Sequence, residues 1–440
     1  MIQPYPKKET SVKEISMRVL LVGSGGREHA LAMALACSPN LTELFIAPGN
    51  PGTAQYGKNI NIKVDNITDL IKFAQDNHID LVIPGPELPL VKGLTDACEH
   101  AGILCAGPSQ AAAQLEGSKS FTKMISDAAQ IPTAAWKEFT DSEQAVAYLK
   151  TQSFPIVIKA DGLAAGKGVI IAYTFKEAEE AIETILQDNR FGEAGNKIVI
   201  EEFLTGEEIS LFAFCDGEHA VLIGAAQDHK RIGDNDTGPN TGGMGAISPP
   251  PFFDHAAQEK ALDITVRPML REMVKRGIPF RGIIFAGLMI TNDGPYLIEY
   301  NVRFGDPEAE VLLPRLETDL LDILYNLSQG KLKKSEIKFS DQAGICIVMA
   351  AKGYPGTPVV GGIIQNIDQA ESLPHVKVFH AGTNYNAQQE LCAAGGRVLC
   401  IAAFDKTLKQ AQTTAYNAVN KINWKDGIWR TDIGNKALKQ

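Results

Sequence analysis

The segment from Met17 to Ala36 constrains the fold more than any other part of the sequence. It reads MRVLLVGSGGREHALAMALA, an apolar run followed by a glycine-rich turn and a helical pattern. These features are typical of a buried strand that leads into a helix. Further strand-like runs (LFIAPGN, IDLVIPGPE and ILCAGPS) alternate with helical stretches up to residue 117. This alternation predicts a parallel sheet with ligand-binding loops at the carboxyl ends of its strands.

The remaining chain predicts further domains, because 440 residues exceed what one hydrophobic core usually contains. We therefore predict a multi-domain α/β protein. The units are a parallel N-terminal domain (17–117), a central domain (118–134 and 208–338), a small α+β unit (135–207) and a mixed α/β C-terminal domain (339–440). The polar residues 1–16 are expected to form a disordered tail or an upstream extension.

Composition narrows the class of partner. The formal net charge is −10 and no long basic run is present, so neither nucleic acid nor an anionic membrane surface is expected as a main partner. No apolar run reaches the length of about 18 residues that a membrane span needs. The seven cysteines form no C-x-x-C pair, which indicates reduced thiols in a cytoplasmic protein.

Residues 157–169, VIKADGLAAGKGV, have the composition of a phosphate-binding loop. They do not match a P-loop, because Gly168 follows Lys167 where that motif requires a hydroxyl. Glycines still let backbone N–H groups approach a phosphate closely, and lysine adds a mobile charge. A hairpin loop with a solvated lysine is the alternative.

The segment PYLIEYNVRFGDPE suggests a metal site. If it is a regular strand, Glu299, Asn301 and Arg303 lie on one face, together with Leu297. A carboxylate and an amide oxygen are hard ligands suited to magnesium, and Arg303 can hold an anion beside the metal. A half-solvated strand edge with an ordinary ion pair is the alternative.

Residues 226–246, AQDHKRIGDNDTGPNTGGMGA, are polar and glycine-rich. Loops of this length within a domain are usually either functional or disordered, and both possibilities stay open. The DHKR portion offers both charges to a zwitterion, and the glycines favour close approach of the backbone to a ligand.

Two other segments give weaker signals. Glu201 and Glu202 end a predicted strand and Glu208 begins the next, an arrangement suited to adenosine but equally to a solvated turn. VGSGGREHAL lacks the third glycine of the dinucleotide fingerprint, because Glu28 stands there. The helix that follows Gly26 nevertheless offers its N-terminus to a phosphate.

Taken in order, these segments resemble the ATP-grasp ligases, and among them the glycinamide ribonucleotide synthetase family. The similarity covers residues 17 to about 435. Its motifs are GSGGREHAL, APGNPGT, GPELPLVKG, QLEGSKSFTK, PIVIKADGLAAGKGV, IVIEEFLTGEE, QDHKR, DTGPNTGGMGA, NVRFGDPE, VMAAKGYPG, VFHAGT and GGRVL. The resemblance implies an ATP-grasp fold with a Rossmann-like N-terminal domain, an α+β lid and a mixed C-terminal domain.

The resemblance also implies the chemistry. ATP would convert glycine to glycyl phosphate, and the amine of 5-phosphoribosylamine would then attack it, giving glycinamide ribonucleotide, ADP and phosphate. Mg²⁺ or Mn²⁺ would assist, and the protein would be a cytoplasmic monomer of purine biosynthesis.

At the positions that match the family's motifs, the resemblance implies the following roles. The ATP-binding residues are Lys119, Lys159, Gly166, Lys167, Gly168, Glu201, Glu202, Leu204 and Glu208. The metal ligands are Glu299 and Asn301. The residues that bind phosphoribosylamine or glycine are Gly25, Gly26, Arg27, Glu28, Asn50, Gly85, Glu87, Asp228, Lys230, Gly243 and Arg303. The catalytic residues are Lys159, Arg303 and Asp228.

Some features leave alternatives open. Ala309 and Glu310 follow GDPE where the family usually has Thr or Cys and then Gln, and the strand IIFAGLMI carries no additional metal-binding acid. The alternative functions are an ATP-grasp ligase for a different acid, a nicotinamide oxidoreductase and a non-catalytic ATP sensor. His29 and His229 are the histidines most suited to a role beyond packing.

Overall fold

The computed structural model describes residues 16–163, 168–187, 192–332 and 337–439. Its N-terminal part contains a five-stranded parallel sheet in the order β3-β2-β1-β4-β5, as predicted. The strands are β1 (Met17–Gly23), β2 (Leu41–Pro48), β3 (Lys58–Asn59), β4 (Leu81–Pro84) and β5 (Leu104–Cys105). The helices are α1 (Gly26–Ala36), α2 (Ile67–Asp76), α3 (Glu87–Val91), α4 (Leu94–His100), α5 (Gln114–Gly117) and α6 (Lys119–Ala128).

The turn between β1 and α1 is packed around the side chain of Glu28. Gly23 has φ +141°, and a Cβ there would lie 2.3 Å from the Glu28 Cγ. A Cβ at Gly85, in the loop after β4, would lie 2.1 Å from the Glu28 Oε1. Glycine is therefore required at both positions, and the two loops are brought together over one buried carboxylate.

The next unit is a four-stranded antiparallel sheet in the order β6-β9-β7-β8. Two helices cover it, and their buried alanines and isoleucines pack on the apolar residues of the strands. The elements are β6 (Trp136–Phe139), α7 (Ser142–Leu149), β7 (Ile156–Ala160), β8 (Val169–Ala172), α8 (Phe175–Leu186) and β9 (Ile198–Glu202).

A nine-stranded sheet forms the rest of the molecule. Its order is β16-β15-β10-β11-β14-β17-β21-β18, and β22 pairs with β17. The elements that precede residue 330 are β10 (Glu207–Asp216), β11 (Ala220–Asp228), β12 (Arg231–Gly233), β13 (Thr237–Asn240), β14 (Gly245–Ser248), α9 (His255–Thr265), α10 (Arg267–Lys275), β15 (Arg281–Thr291), β16 (Gly294–Asn301), α11 (Ala309–Leu312) and α12 (Leu320–Ser328).

The C-terminal elements are β17 (Ala343–Ala351), α13 (Ile367–Glu371), β18 (Val376–His380), β19 (Thr383–Tyr385), β20 (Leu391–Ala393), β21 (Arg397–Asp405), α14 (Leu408–Val419) and β22 (Gly427–Ile428). Strands β17, β18, β21 and β22 extend the nine-stranded sheet, whereas β19 and β20 form a separate two-stranded sheet. Helices α9 and α10 cover one face of β10 and β15, and α12 covers the other. Both faces are thus buried, and the ends of these strands are fixed in position.

The prediction that Leu297 shares the face of Glu299 is wrong. The pairing of β16 with β15 shifts by one residue at Ile298, which has no partner there. This bulge interrupts the alternation of side chains. Leu297 is fully buried in the same core cluster as Tyr300 and Val302, the residues predicted to lie on the face opposite to Glu299.

Residues 226–246 are folded and not disordered. They form the end of β11, the β12–β13 hairpin and the start of β14. Arg430, which is 2% exposed, anchors the hairpin by donating to the Asp236 carboxylate at 2.7 Å and to the Arg231 carbonyl at 3.2 Å. It also pairs with Asp432 at 2.8 Å.

The cysteines and the lengths of the helices agree with the expectations from composition. All seven cysteines are free, and six of them are buried. Among the described residues, no helix combines the length and the apolar character needed to cross a membrane.

We expect Arg430→Gln to destabilise the hairpin, since it removes charge-assisted hydrogen bonds from a buried site at a cost of about 2 kcal/mol or more. Trypsin should then cleave faster at Lys230 and Arg231. The measurement is thermal unfolding together with limited proteolysis. Arg267→Gln, which affects only exposed ion pairs on α9 and α10, is the control; equal effects of the two substitutions would contradict the anchoring role.

Candidate active site

A buried ion network joins the four-stranded sheet to α6. Glu201, at the end of β9, lies 2.8 Å from the Lys123 Nζ and 2.9 Å from the Lys159 Nζ. All three side chains are buried. The Lys159 Nζ also donates to the Ile298 carbonyl at 3.4 Å, which brings β7 against β16. Glu201 therefore holds Lys159 at the edge of the cleft between the two sheets.

Lys123 is a member of this network that the sequence analysis did not identify. It is 1% exposed and donates to the Thr133 Oγ1 at 2.7 Å. Burial, followed by the neighbouring Lys159, lowers its pKa, and Glu201 opposes that shift. The available signal was its spacing of four residues from Lys119, which places both lysines on one side of α6.

Lys119 begins α6 and lies beside the turn that follows β7. Asp161 in that turn accepts from the Ser120 N–H at 2.7 Å and from the Ser118 hydroxyl at 3.0 Å. The Lys119 Nζ donates to the Gly162 carbonyl at 3.3 Å. The start of the glycine-rich loop is thus fixed to the N-terminus of α6.

The end of the loop is also fixed, because the Ala160 N–H donates to the Gly168 carbonyl at 2.8 Å. The predicted ATP-binding residues Gly166 and Lys167 lie outside the described residues. Leu204 follows β9 and is partly buried, whereas the side chain of Glu202 is exposed.

The predicted metal ligands Glu299 and Asn301 lie side by side on β16, opposite Gly287 and Phe285 of β15. Burial alone would raise the pKa of Glu299, but Lys119, Lys230, Lys159 and Arg303 together lower it, so the carboxylate stays ionised. The Asn301 Nδ2 beside it is buried and has no hydrogen-bond partner in the described chain. An ionised carboxylate beside an amide oxygen suits a divalent cation.

Arg303 connects β16, which carries the two predicted metal ligands, to the N-terminal part of the chain. Its guanidinium donates to Glu87 of α3 at 2.9 Å, to Glu116 of α5 at 2.8 Å and to the Asn301 Oδ1 at 3.3 Å. Although burial opposes ionisation of Glu87, the guanidinium groups of Arg303 and Arg27 lower its pKa. Glu116, like Lys123, was missed by the sequence analysis, since its partner is distant in the chain.

An acidic pocket lies beyond Arg303. The Asp228 Oδ1 is buried and has no hydrogen-bond partner in the described chain. Glu308 is 3% exposed and accepts from the Ser210 hydroxyl at 3.1 Å. Burial raises the pKa of both carboxyl groups, and the charge of Glu308 raises that of Asp228 further. The ammonium group of Lys230 opposes these shifts in both acids, and the Asp228 Oδ1 stays open to a further donor such as a bound ammonium group.

Gly243 and Lys230 border this pocket. A Cβ at Gly243 would lie 2.7 Å from the Asp228 Oδ1 and 2.5 Å from the Pro307 Cδ, and its φ is +112°. Lys230 pairs with Glu208 of β10. Burial opposes the charge of Lys230, but Glu208, Glu299 and Asp228 raise its pKa. Glu308 was not predicted as a site residue, although it completes the GDPE motif.

The loops of the N-terminal sheet meet the pocket from the opposite side. Glu28 accepts from the N–H groups of Ser24 at 3.1 Å and Gly25 at 2.6 Å, and pairs with Arg27 at 2.6 Å. The Asn50 Nδ2 donates to the Ser24 carbonyl at 2.8 Å. Arg27, Glu28 and Asn50 are thus buried and bonded to neighbouring loops, and they shape the glycine turn from beneath.

His29 and His229 have structural surroundings. The His29 Nδ1 accepts from the His380 N–H at 2.8 Å, and the Gly434 N–H donates to the His229 Nε2 at 3.3 Å. Burial lowers the pKa of His29 to about 3 and that of His229 to about 4. Both histidines are thus packed and hydrogen-bonded in this structure, and a role beyond packing stays a prediction.

Models of one protein family match most of the chain. The phosphoribosylglycinamide synthetase N domain matches residues 17–116, its ATP-grasp (A) domain matches 117–309 and its C domain matches 344–436. A phosphoribosylamine–glycine ligase of Brucella melitensis is 50% identical over 424 residues, which is 96% of this chain and 99% of the relative. A protein of the same description from Vibrio vulnificus is 49% identical over 425 residues, with the same coverage.

Solved structures give a similar result. The crystal structure of phosphoribosylamine–glycine ligase from Thermotoga maritima superposes with a TM-score of 0.82 at 30% identity, covering 94% of this chain and 99% of that chain. The biotin carboxylase domain of 2-oxoglutarate carboxylase from Hydrogenobacter thermophilus, in complex with MgADP, ADP and bicarbonate, has a TM-score of 0.74 at 16% identity, covering 95% and 92%. The second likeness concerns the fold alone.

The buried His29 predicts a specific sensitivity to acid. Below about pH 6.5 the unfolded chain binds a proton at this residue, whereas the folded protein, with a pKa of about 3, does not. The contribution of neutral His29 to the free energy of unfolding is therefore fully present above pH 6.5, and it is lost as the pH falls toward 3. His29→Gln keeps an acceptor for the His380 N–H, and it should flatten the dependence of the unfolding free energy on pH by about 1.4 kcal/mol per unit between pH 6 and 4.

The measurement is urea unfolding at a series of pH values. His100→Gln, at an exposed position on α4, is the control and should leave the slope unchanged. An unchanged slope in the His29 variant would show that the folded protein protonates His29 as readily as the unfolded chain does.

Proposed function

Because this chain belongs to the phosphoribosylglycinamide synthetase family, we infer that it joins glycine to 5-phosphoribosylamine at the expense of ATP. It is an ATP-dependent ligase with the ATP-grasp fold, and it forms glycinamide ribonucleotide in purine biosynthesis. The family, fold and reaction predicted from the sequence are thereby confirmed. The residue assignments below are our proposal, carried by the convergence of Lys159, Glu299 and Arg303 on one cleft.

The reaction requires activation of a carboxylate. Glycine is a poor acylating agent, because an oxide would have to leave. Attack of a carboxylate oxygen on the γ-phosphorus of ATP forms glycyl phosphate and releases ADP. The amine of phosphoribosylamine then bonds to the acyl carbon, the bond from that carbon to the phosphate oxygen breaks, and the amine loses a proton. Positioning and charge neutralisation are the protein's main contributions to such a transfer.

Lys119 and Lys159 are proposed to bind the phosphates of ATP. Lys119 approaches from α6 and Lys159 from the four-stranded sheet, so the two ammonium groups enclose the cleft. Both engage protein groups in this structure, and Glu201 with Lys123 keeps Lys159 in place. Gly166, Lys167 and Gly168 would add contacts from the lid loop.

The adenosine part of ATP is proposed to bind where β9 leads into β10. Since the Glu201 carboxylate is engaged by two lysines, we assign the adenine contacts mainly to the backbone through Leu204. Glu202 is exposed beside this segment. The partly exposed Glu208 is proposed to accept hydrogen bonds from the ribose hydroxyls.

Glu299 and Asn301 would hold the divalent ion. The ionised state of Glu299 fits this role. When bound, Mg²⁺ or Mn²⁺ would neutralise charge on the phosphates; the choice between the two ions is part of the proposal. Arg303, held by Glu87 and Glu116, stabilises the anions beside the metal.

Glycine is proposed to bind between Arg303 and the acidic pocket. The guanidinium would face the carboxylate, and Asp228 and Glu308 would face the ammonium group. A bound cation offsets the burial that raises the pKa of both acids, and the repulsion by Glu308 that raises the pKa of Asp228 further. We propose that Asp228, whose Oδ1 has no partner in the described chain, also accepts the proton that the attacking amine releases. Gly243 and Lys230 form the pocket wall.

Phosphoribosylamine is proposed to bind at the loops of the N-terminal sheet. The N-terminus of α1 suits its phosphate, and Gly25 and Gly26 allow close approach; the Arg27 N–H of this turn donates to Asp306 in this structure. Arg27, Glu28, Asn50 and Gly85 shape this turn, and Glu87 links it to Arg303. The domain boundaries, a monomeric state and a cytoplasmic location stay predictions.

An assay of ADP release tests the function directly. We expect release to require both glycine and freshly generated phosphoribosylamine, and to fail when alanine, formate or bicarbonate replaces glycine. Release with another acid at comparable kcat/KM would instead indicate a different carboxylate–amine ligase. A change in NADH absorbance would support the alternative of a nicotinamide oxidoreductase. ATP binding without turnover would support a non-catalytic ATP sensor.

Glu299→Gln tests the metal site. The substitution keeps the shape of the side chain but weakens the metal ligand, so we expect kcat to fall about 100-fold or more. The Tm should fall only slightly, because the amide keeps the shape of the side chain and loses only the attraction to the surrounding cations. Glu259→Gln, at an exposed ion pair on α9, is the control. A large drop in Tm with unchanged specific activity would contradict the assignment.

A further inference from the structure

Arg397, the first residue of β21, contacts two loops that form the wall of the acidic pocket. Its Nη1 donates to the Gly242 carbonyl and, at 2.6 Å, to the Asp306 carbonyl. A longer contact of 3.4 Å reaches the Gly243 carbonyl. Its Nη2 lies 3.1 Å from the Asp306 Oδ1. One side chain from the C-terminal domain thus binds backbone groups of both loops.

These contacts determine where Gly243 lies. The backbone there approaches both Asp228 and Pro307 so closely that no side chain fits at Gly243. A displacement of a few tenths of an ångström would therefore change the space between Asp228 and the loop that carries Glu308. The Tyr354 hydroxyl accepts from the Gly242 N–H at 3.0 Å and fixes the same loop from its other side.

Asp306 extends the contact to the N-terminal domain. Its Oδ2 accepts from the Arg27 N–H, in the first turn of α1, at 3.3 Å. The turn that offers its N–H groups to a phosphate is therefore connected through Asp306 to Arg397. Three loops from separate parts of the sequence depend on this one guanidinium.

Arginine is suited to this task. Burial opposes the charge of Arg397, but Asp306 beside it raises its pKa, so the side chain stays cationic. The planar guanidinium has five N–H donors with fixed directions, and it can bond two carbonyls and a carboxylate at once. The three donors of a lysine ammonium on a flexible stem cannot reproduce that geometry.

We propose that Arg397 is a positioning residue for glycine and phosphoribosylamine; this inference rests on the proposed function. Arg397 aligns the Gly242–Gly243 loop and the 305–308 loop around the ammonium group of glycine. Through Asp306 it aligns the phosphate-binding turn of α1. Among the described residues, Arg397 forms no hydrogen bond or ion pair with the nucleotide half of the cleft, which is built from α6, the four-stranded sheet and β16.

The test is steady-state kinetics of Arg397→Lys and Arg397→Gln. The KM values for glycine and phosphoribosylamine should rise about ten-fold or more, because hydrogen bonds from a charged group are lost. The KM for ATP should stay within about two-fold, because Arg397 is not bonded to the nucleotide half of the cleft. A substitution that loosened the whole protein would instead raise all three KM values. Arg397→Lys should retain more of the affinity for both substrates than Arg397→Gln.

Arg315→Gln is the matched control. Arg315 is also a buried arginine that joins two segments, donating to the Ser248 hydroxyl at 2.8 Å and to the Ser340 carbonyl at 3.1 Å. It contacts none of the three loops, so its loss should lower Tm without separating the KM values. Tyr354→Phe removes only the tyrosine hydroxyl that accepts from the Gly242 N–H. It should also raise the KM for glycine, but by a smaller factor than the Arg397 substitutions do.

The outcomes separate this inference from the proposed function. If the unsubstituted protein shows no ADP release that depends on glycine and phosphoribosylamine, the proposed function fails. If it is active, and the Arg397 variants raise all three KM values equally or match Arg315→Gln, the positioning role is overturned. Should both Arg397 variants fail to fold, an unchanged KM for glycine in Tyr354→Phe would overturn it.

Discussion

The buried pairing of Glu201 with Lys123 and Lys159 is the interaction on which the nucleotide half of the cleft depends. Two lysines cannot stay buried at close range without a carboxylate between them. Glu201 supplies that carboxylate from β9, so the four-stranded sheet, α6 and β16 meet at one point. Loss of Glu201 would leave two buried ammonium groups without a counter-charge, so this carboxylate favours a single relative arrangement of the three segments.

Opposite charges are separated along the same cleft. Lysines and Arg303 surround Glu299 and lower its pKa, whereas Asp228 and Glu308 form an acidic pocket in which the pKa of each carboxyl group is raised. The basic end suits phosphates and a carboxylate, and the acidic end suits an ammonium group. A zwitterionic amino acid matches this order, since its carboxylate must face the γ-phosphate while its ammonium group is held away from the reaction.

Local sequence predicted the parts of the structure that local physics determines. The parallel sheet followed from the alternation of strands and helices, and the pair Glu299 and Asn301 followed from strand periodicity. The bulge at Ile298 could not be predicted, because it depends on how β16 meets β15. Lys123, Glu116, Glu308 and Arg397 were missed for a similar reason: their partners lie far away in the sequence, and only the folded chain brings them together. The hairpin at 231–240 is ordered by Arg430, which is almost 200 residues further along the chain.

The two halves of the cleft differ in how they are built, and this difference bears on specificity. The proposed ATP-binding half comes from α6, the four-stranded sheet, the start of β10 and β16. The substrate half is assembled from loops of the N-terminal sheet, the hairpin region, the segment after β16 and β21. A biotin carboxylase domain shares the overall fold at 16% identity, so the fold alone does not determine which acid and which amine are joined. That choice must lie in the loops of the substrate half, whose relative positions are set by Arg303, Asp306 and Arg397.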